Sequence, residues 1–116
     1  MAKKELIPAP LDGKNVTTDW IEEMFDEQSA LYGSHKMLGF MAGAAVQASW
    51  DGNVLTWKVL DGDGDAAVKT LRERYDDRYP EDESPFIIRR WMTYKQTRDS
   101  RTLESYKMVF YWAPED

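Results

Sequence analysis

Three aspartates at alternate positions, Asp61, Asp63 and Asp65, run into a helical pattern in the stretch "LDGDGDAAVKTLRERY", residues 60–75. Alternating carboxylates are what a calcium loop uses for its first ligands. Such a loop also needs glycine at its sixth position and a glutamate at its twelfth. Counted from Asp61, those positions hold Ala66 and Arg72. A cation stands where the last ligand belongs, so at most a weak ion would sit among the three carboxylates. Phosphate loops offer bare amides and a lysine; three carboxylates would repel that ligand. The expected role is a turn in which Asp65 caps the following helix.

The other chemistry-bearing types are sparse. His35 is the only histidine, and no nucleophile motif or orienting acid accompanies it. No Gly-x-Ser-x-Gly elbow occurs. With no cysteine there is no disulfide and no thiolate site, which fits a reducing cytoplasm. Paired-acid catalysis needs a shaped cleft, for which short loops offer little material. The expectation is a protein that is not an enzyme and carries no cofactor or metal.

Charge is the more informative signal. The net charge is −6 over 116 residues. Residues 1–65 carry five lysines, no arginine and eleven acids; residues 66–116 carry ten bases and ten acids. Within the latter, residues 85–112 hold six bases against two acids. An acidic body is therefore joined to a basic C-terminal segment, a statement about partners rather than fold.

The elements that must position these groups follow from periodicity. Residues 1–16 read as an extended arm with an edge strand near residues 5–7. Asp19 opens a helix with Glu22 as capping partner; Trp20, Ile21, Met24, Phe25, Leu31 and Tyr32 recur at helical spacing, and Gly33 stops it. Ser34 caps a second helix to about Gly43. Residues 44–59 form a hairpin turning at Asp51-Gly52-Asn53. A helix spans residues 66–79, ended by Pro80. Residues 86–95 and 102–112 form a second, aromatic hairpin, and residues 113–116 are a tail. The expected fold is a single α+β domain over residues 1–116: a four-stranded, mainly antiparallel sheet of two hairpins with two to three helices on one face. The stretch 37–50 is too short to span a membrane.

Two surfaces emerge. The first helix stacks Glu22 on Asp26 and Glu23 on Glu27 with no base to offset them. With Asp76 and Asp77 they form an anionic surface suited to a basic protein partner. This is the leading expectation: an acidic, non-catalytic inhibitor that occupies a nucleic-acid-binding surface, comparable in size and charge to the anti-defence and immunity proteins that phages and toxin systems encode. The rival surface is the second hairpin. One face holds Phe86, Ile88, Met92, Tyr94, Tyr106, Met108, Phe110 and Trp112 as core, with Arg90 the exception. The other holds Arg89, Trp91, Lys95, Lys107 and Tyr111, cations interleaved with aromatics as in single-strand nucleic-acid binders. A third expectation is a homo-oligomer that associates through an open sheet face.

Overall fold

The computed structural model describes residues 6–11, 18–26, 29–31, 33–80 and 82–114. The elements are α1 (Thr18–Glu23), β1 (Ser29–Leu31), β2 (Lys36–Met41), β3 (Ala44–Asp51), β4 (Val54–Asp61), α2 (Gly64–Arg78), β5 (Phe86–Gln96) and β6 (Arg101–Trp112). They form one six-stranded sheet in the order β1-β2-β3-β4-β6-β5, with every neighbouring pair antiparallel. The fold is mixed α and β, mostly antiparallel sheet with one main helix. This corrects the expected four strands under two to three helices.

Both hairpins form where alternation and turn chemistry place them. In β3, inward Ala44, Val46, Ala48 and Trp50 alternate with half-buried residues; β4 answers with Leu55 and Trp57. The correction concerns residues 34–43, where strand β2 (Lys36–Met41) and the turn after it stand in place of a helix. In β2, Met37, Gly39 and Met41 are buried and the residues between them exposed. That period of two decides for a strand once a neighbouring strand is available to pair. Ala42 and Gly43 have φ of 50° and 82°, and two consecutive positive φ values make the two-residue turn that joins β2 to β3.

The first helix is likewise shorter than expected. It ends at Glu23, and residues 29–31 pair with β2 as a short edge strand. Asp19 lies inside α1, not at its cap. Glu27 and Tyr32 lie outside the described residues. Of the arm, residues 6–11 are described. Pro8 bridges Tyr111, and the amides of Ala9 and Trp112 bond Phe110 and Ile7 carbonyls. This segment continues the line of β4 beside β6. Glu5 lies outside the described residues. At the other end, the Ala113 amide bonds the Pro85 carbonyl.

Helix α2 starts one turn position earlier than expected. Asp63, not Asp65, is the cap, its carboxylate accepting the Ala66 amide at 3.2 Å. Ala67, Val68, Leu71 and Tyr75 form its buried stripe, spaced at one to two turns. They pack on Trp57, Leu103, Tyr106, Met108 and Phe110 in one continuous core. Strands β4 and β5 are both antiparallel to β6, so β4-α2-β5 is a split crossover with β6 filling the gap.

The β4–α2 turn is sterically tight. Gly62 has φ of 101°, and a Cβ there would lie 2.8 Å from the Ala44 Cα. Gly43 also has positive φ but faces open space. Gly62→Ala is therefore expected to lower unfolding free energy by about 2 to 4 kcal/mol, combining left-handed strain with backbone overlap. Gly43→Ala should lose only about 1 to 2 kcal/mol. Urea unfolding of both variants checks the contrast; equal losses would contradict it.

Candidate functional site

Three surfaces could do work, and each is set by what covers the sheet. Helix α2 lies on one face. No described element packs on the other, which leaves Leu38, Phe40, Ile87 and Trp91 exposed, Trp91 by 51%.

Strand register arranges this open face in rows. Trp91 pairs with Lys107, Lys107 with Thr56, Thr56 with Ser49 and Ser49 with Lys36. The next row reads Thr93, Ser105, Lys58, Gln47 and Leu38. On the other side of the first row, Arg89 pairs with Val109, and Ile87 pairs with Tyr111. The Arg89 guanidinium lies 5.6 Å from the Tyr111 ring centre, within cation–π range. Lys95 continues the same side of β5, opposite Thr102. The geometry thus brings Arg89, Trp91, Lys95, Lys107 and Tyr111 together and adds Lys36, Lys58, Leu38 and Phe40. Lys36, Leu38 and Phe40 escape the sequence reading because β2 reads as helix there, though residues 36–41 alternate; Lys58 joins the group only through the β4–β6 pairing. Asp51 and Asp61 sit on this side at strand ends, and exposed Glu104 stands at the β6 bulge beside Ser105, so the cations of the face outnumber its acids.

The acidic surface is assembled differently. Glu23 accepts from Arg78 at 2.6 Å, and Asp26 accepts from Arg74 at 2.6 Å. Both arginines come from α2, which the spacing of the first helix could not reveal. Asp26 also accepts the Ala42 amide at 3.0 Å. Asp26 lies beyond the end of α1, so Glu22 and Asp26 are not stacked on one helix. Glu22 is exposed, as are Asp76 and Asp77. Two of the acids are thus engaged within the chain.

A groove is the third feature, and the sequence did not disclose it. Strand β5 extends beyond the cover of α2: Phe86 is buried, yet Arg90 and Met92 on the same face are exposed. A cavity of about 450 Å³ lies between Tyr75, Tyr79 and Asp76 on one wall and Phe86, Ile88 and Arg90 on the other. A second, of about 430 Å³, follows along the helix between a mainly charged wall of Asp65, Val68, Lys69, Arg72, Glu73 and Asp76 and an apolar one of Met92, Tyr94 and Leu103. The Arg90 guanidinium lies 6.0 Å from the Tyr75 ring centre.

Burial pushes the Tyr75 phenol up to about 12, against a bond to Ser84 and the Arg90 charge. Burial also raises Tyr106, while the Arg90 and Arg72 cations pull it back. Neither phenol is poised near neutrality. His35 is exposed and bonds Ser34 through Nδ1 at 2.8 Å. Among the described residues no three acids or histidines form a metal-holding group, and Asp63 serves as a cap. No described helix is long and apolar enough to cross a membrane. Comparison with known family models, curated proteins and solved structures gives no match.

Arg74 anchors the acidic segment. It donates to the Met24 carbonyl at 2.7 Å as well as to Asp26, and both ion-pair side chains are about a third exposed, 35% and 34%. Arg74→Ala should therefore lower stability by only about 1 to 2 kcal/mol at pH 7. The Arg74 hydrogen bond holds the Asp26 carboxyl below the usual carboxylate range. A depressed folded value stabilises above the unfolded value near ~4 and ceases to as pH falls through the folded one. The gap in denaturant midpoint between variant and parent should narrow toward pH 2, where the bond to the Met24 carbonyl remains. A gap unchanged from pH 7 would assign the whole effect to that bond and to packing.

The tyrosines give the opposite pH signature. A phenol raised to about 12 when folded stabilises fully below its unfolded value near ~10. That stabilisation declines from there through 12. The urea midpoint of the parent should fall over this window, and Tyr75→Phe should flatten the fall. An unchanged slope in the variant would contradict the burial of this hydroxyl.

Proposed function

We propose that this is a non-catalytic binding protein whose working surface is the open face of the sheet, and that its ligand is single-stranded nucleic acid. The observation that carries this is the row Trp91, Lys107, Thr56, Ser49, Lys36, which runs across five strands with exposed Trp91 at one end. Rows on a sheet recur about every 7 Å, and strands about every 4.8 Å. Lysines from neighbouring rows, such as Lys58 and Lys107, can thus meet successive phosphates while Trp91 and Tyr111 take bases by stacking.

Charge argues for an anionic ligand over a second copy. Face-to-face association would bury Lys36, Lys58, Arg89 and Lys107 against like charges, which is costly without paired acids. The acidic-inhibitor reading is supported less well, because Glu23 and Asp26 already hold α2 through Arg78 and Arg74. A cytoplasmic setting belongs to the same reading, on the absence of cysteine.

Fluorescence anisotropy with a labelled thymidylate strand of about twelve nucleotides tests it. Affinity should fall steeply with salt, as phosphate contacts demand. Trp91→Ala should lose about 1 to 3 kcal/mol of binding, and Lys107→Glu should reduce the salt slope. Glu23→Lys should change little. Absence of salt-dependent binding, or full binding by the Trp91→Ala, Lys107→Glu double variant, would overturn the proposal.

A further inference from the structure

Charge is divided unevenly between the β5–β6 hairpin and the rest of the molecule. Residues 85–112 hold six bases and two acids, a balance of +4, so the remainder of the chain carries −10 within the total of −6. Strand β5 contributes Arg89, Arg90 and Lys95 and no acid. Strand β6 contributes Arg101 and Lys107 against Glu104. On the open face toward β2 the balance differs. Asp51 lies two residues beyond Ser49, the partner of Lys36, and Asp61 pairs with Ala45, the partner of Phe40. An anionic ligand that crosses toward β2 passes between two carboxylates, and one that follows β5 meets none on that strand.

The hairpin also outruns the sheet. Pairing of β6 with β4 stops at Ser105, whereas its pairing with β5 continues to Gln96 and Arg101. All of residues 95–102 are exposed. The turn is fixed from within. The Thr97 amide and hydroxyl donate to the Ser100 carbonyl at 2.7 and 2.6 Å, and the Gln96 side-chain amide donates to the same oxygen at 3.3 Å. On the α2 side the Arg101 guanidinium lies 4.5 Å from the Tyr94 ring centre, a cation–π contact at the base of the overhang. Lys95 stays on the open side, opposite Thr102. Arg98 stands in the turn with Asp99 beside it. Neither Lys95 nor Arg98 forms an ion pair among the described residues.

Resting on the reading of the open face as a nucleic-acid surface, we infer that the unpaired nucleic acid lies lengthwise on the β5–β6 hairpin and runs off the sheet onto its tip. Its course leads from Tyr111 and Arg89 over Trp91 and Lys107 to Lys95, and Arg98 in the turn holds a further phosphate. Lys58 flanks this track from β4, and Glu104 is the one carboxylate of the hairpin before the turn. The open side of β5 offers five rows, those of Ile87, Arg89, Trp91, Thr93 and Lys95. Rows recur about every 7 Å, so at one nucleotide per row the track and the turn take about six. The row that leads across to Lys36 is only ~19 Å long. The recognised class is a run of unpaired nucleotides long enough to reach the tip.

The test uses the full chain and the labelled thymidylate strand of about twelve nucleotides, read by anisotropy near ~0.1 M salt, where charges more than about 10 Å away are largely screened. Lys95→Ala with Arg98→Ala, checked for folding by circular dichroism, should weaken binding about tenfold. It should also lower the salt slope by about 1.4, as removal of two phosphate contacts from a single strand implies. Lys36→Ala with Arg90→Ala removes the same charge from outside the track, at the far end of the row and on the α2 side of β5. That pair should weaken binding less than about twofold. Unchanged affinity in the tip variant, or a loss in the second variant as large as that at the tip, would each overturn the inference. With Trp91→Ala still weakening binding, either result would leave the open face as the nucleic-acid surface. Failure of the parent to bind the thymidylate strand would remove that surface and the inference with it.

Discussion

A sheet wider than its cover governs this molecule. Six strands at about 4.8 Å spacing span about 24 Å, whereas a helix with its side chains covers about 10 Å. Helix α2 therefore seals only the middle of one face. The shortfall toward β2 is made up by residues 21–26, whose Ile21, Met24 and Phe25 are buried, with the Phe25 ring 5.6 Å from that of Trp57. The Asp26 amide bonds the Phe40 carbonyl at 2.8 Å, and Arg74 clamps the segment to α2. Nothing described makes up the shortfall toward β5. The groove is the remainder.

The same constraint separates the charges. Net charge describes the whole chain, and the chain is acidic. Yet the acids near α2 are partly spent on holding the second cover in place, while the face with no cover gathers lysines from β2, β4 and β6. Exposed like charges on a sheet are tolerated in water, where screening is strong. They become informative because Lys36, Lys58, Arg89 and Lys107 outnumber the one carboxylate beside them in β6, Glu104 at the bulge next to Ser105. A surface of that kind lowers the cost of meeting an anion and raises the cost of meeting itself.

The two unsealed regions differ in what they offer. The open face presents side chains across several strands, so it suits a ligand that is wide and charged. The groove is narrower and lies beside the outer edge of β5, with charged residues of α2 on one wall and apolar residues of β5 and β6 on the other. The sheet separates them. Both also rest on the split β4-α2-β5 crossover: it puts β5 at the edge and β6 between, where Lys107 joins Lys58 and Thr56.

Residues close in sequence were enough to determine the β3–β4 hairpin, helix α2 and the β5–β6 hairpin, and most of the residues of each hairpin that face the core; Leu103 was missed because a bulge shifts the alternation there. In all three the apolar period and the turn residues agree locally, although the α2 cap is Asp63 and not Asp65. The exposed Arg90 was legible too, as a cation among core positions. Strand β2 was not, because a six-residue run with two methionines and a glycine satisfies either period until β3 pairs with it. The end of α1 was not, because Arg74 and Arg78 approach from about fifty positions away. Tertiary structure alone decided the strand order, the cationic rows and the groove. Each depends on which strands become neighbours, and pairing energies between distant segments leave no mark in the local pattern.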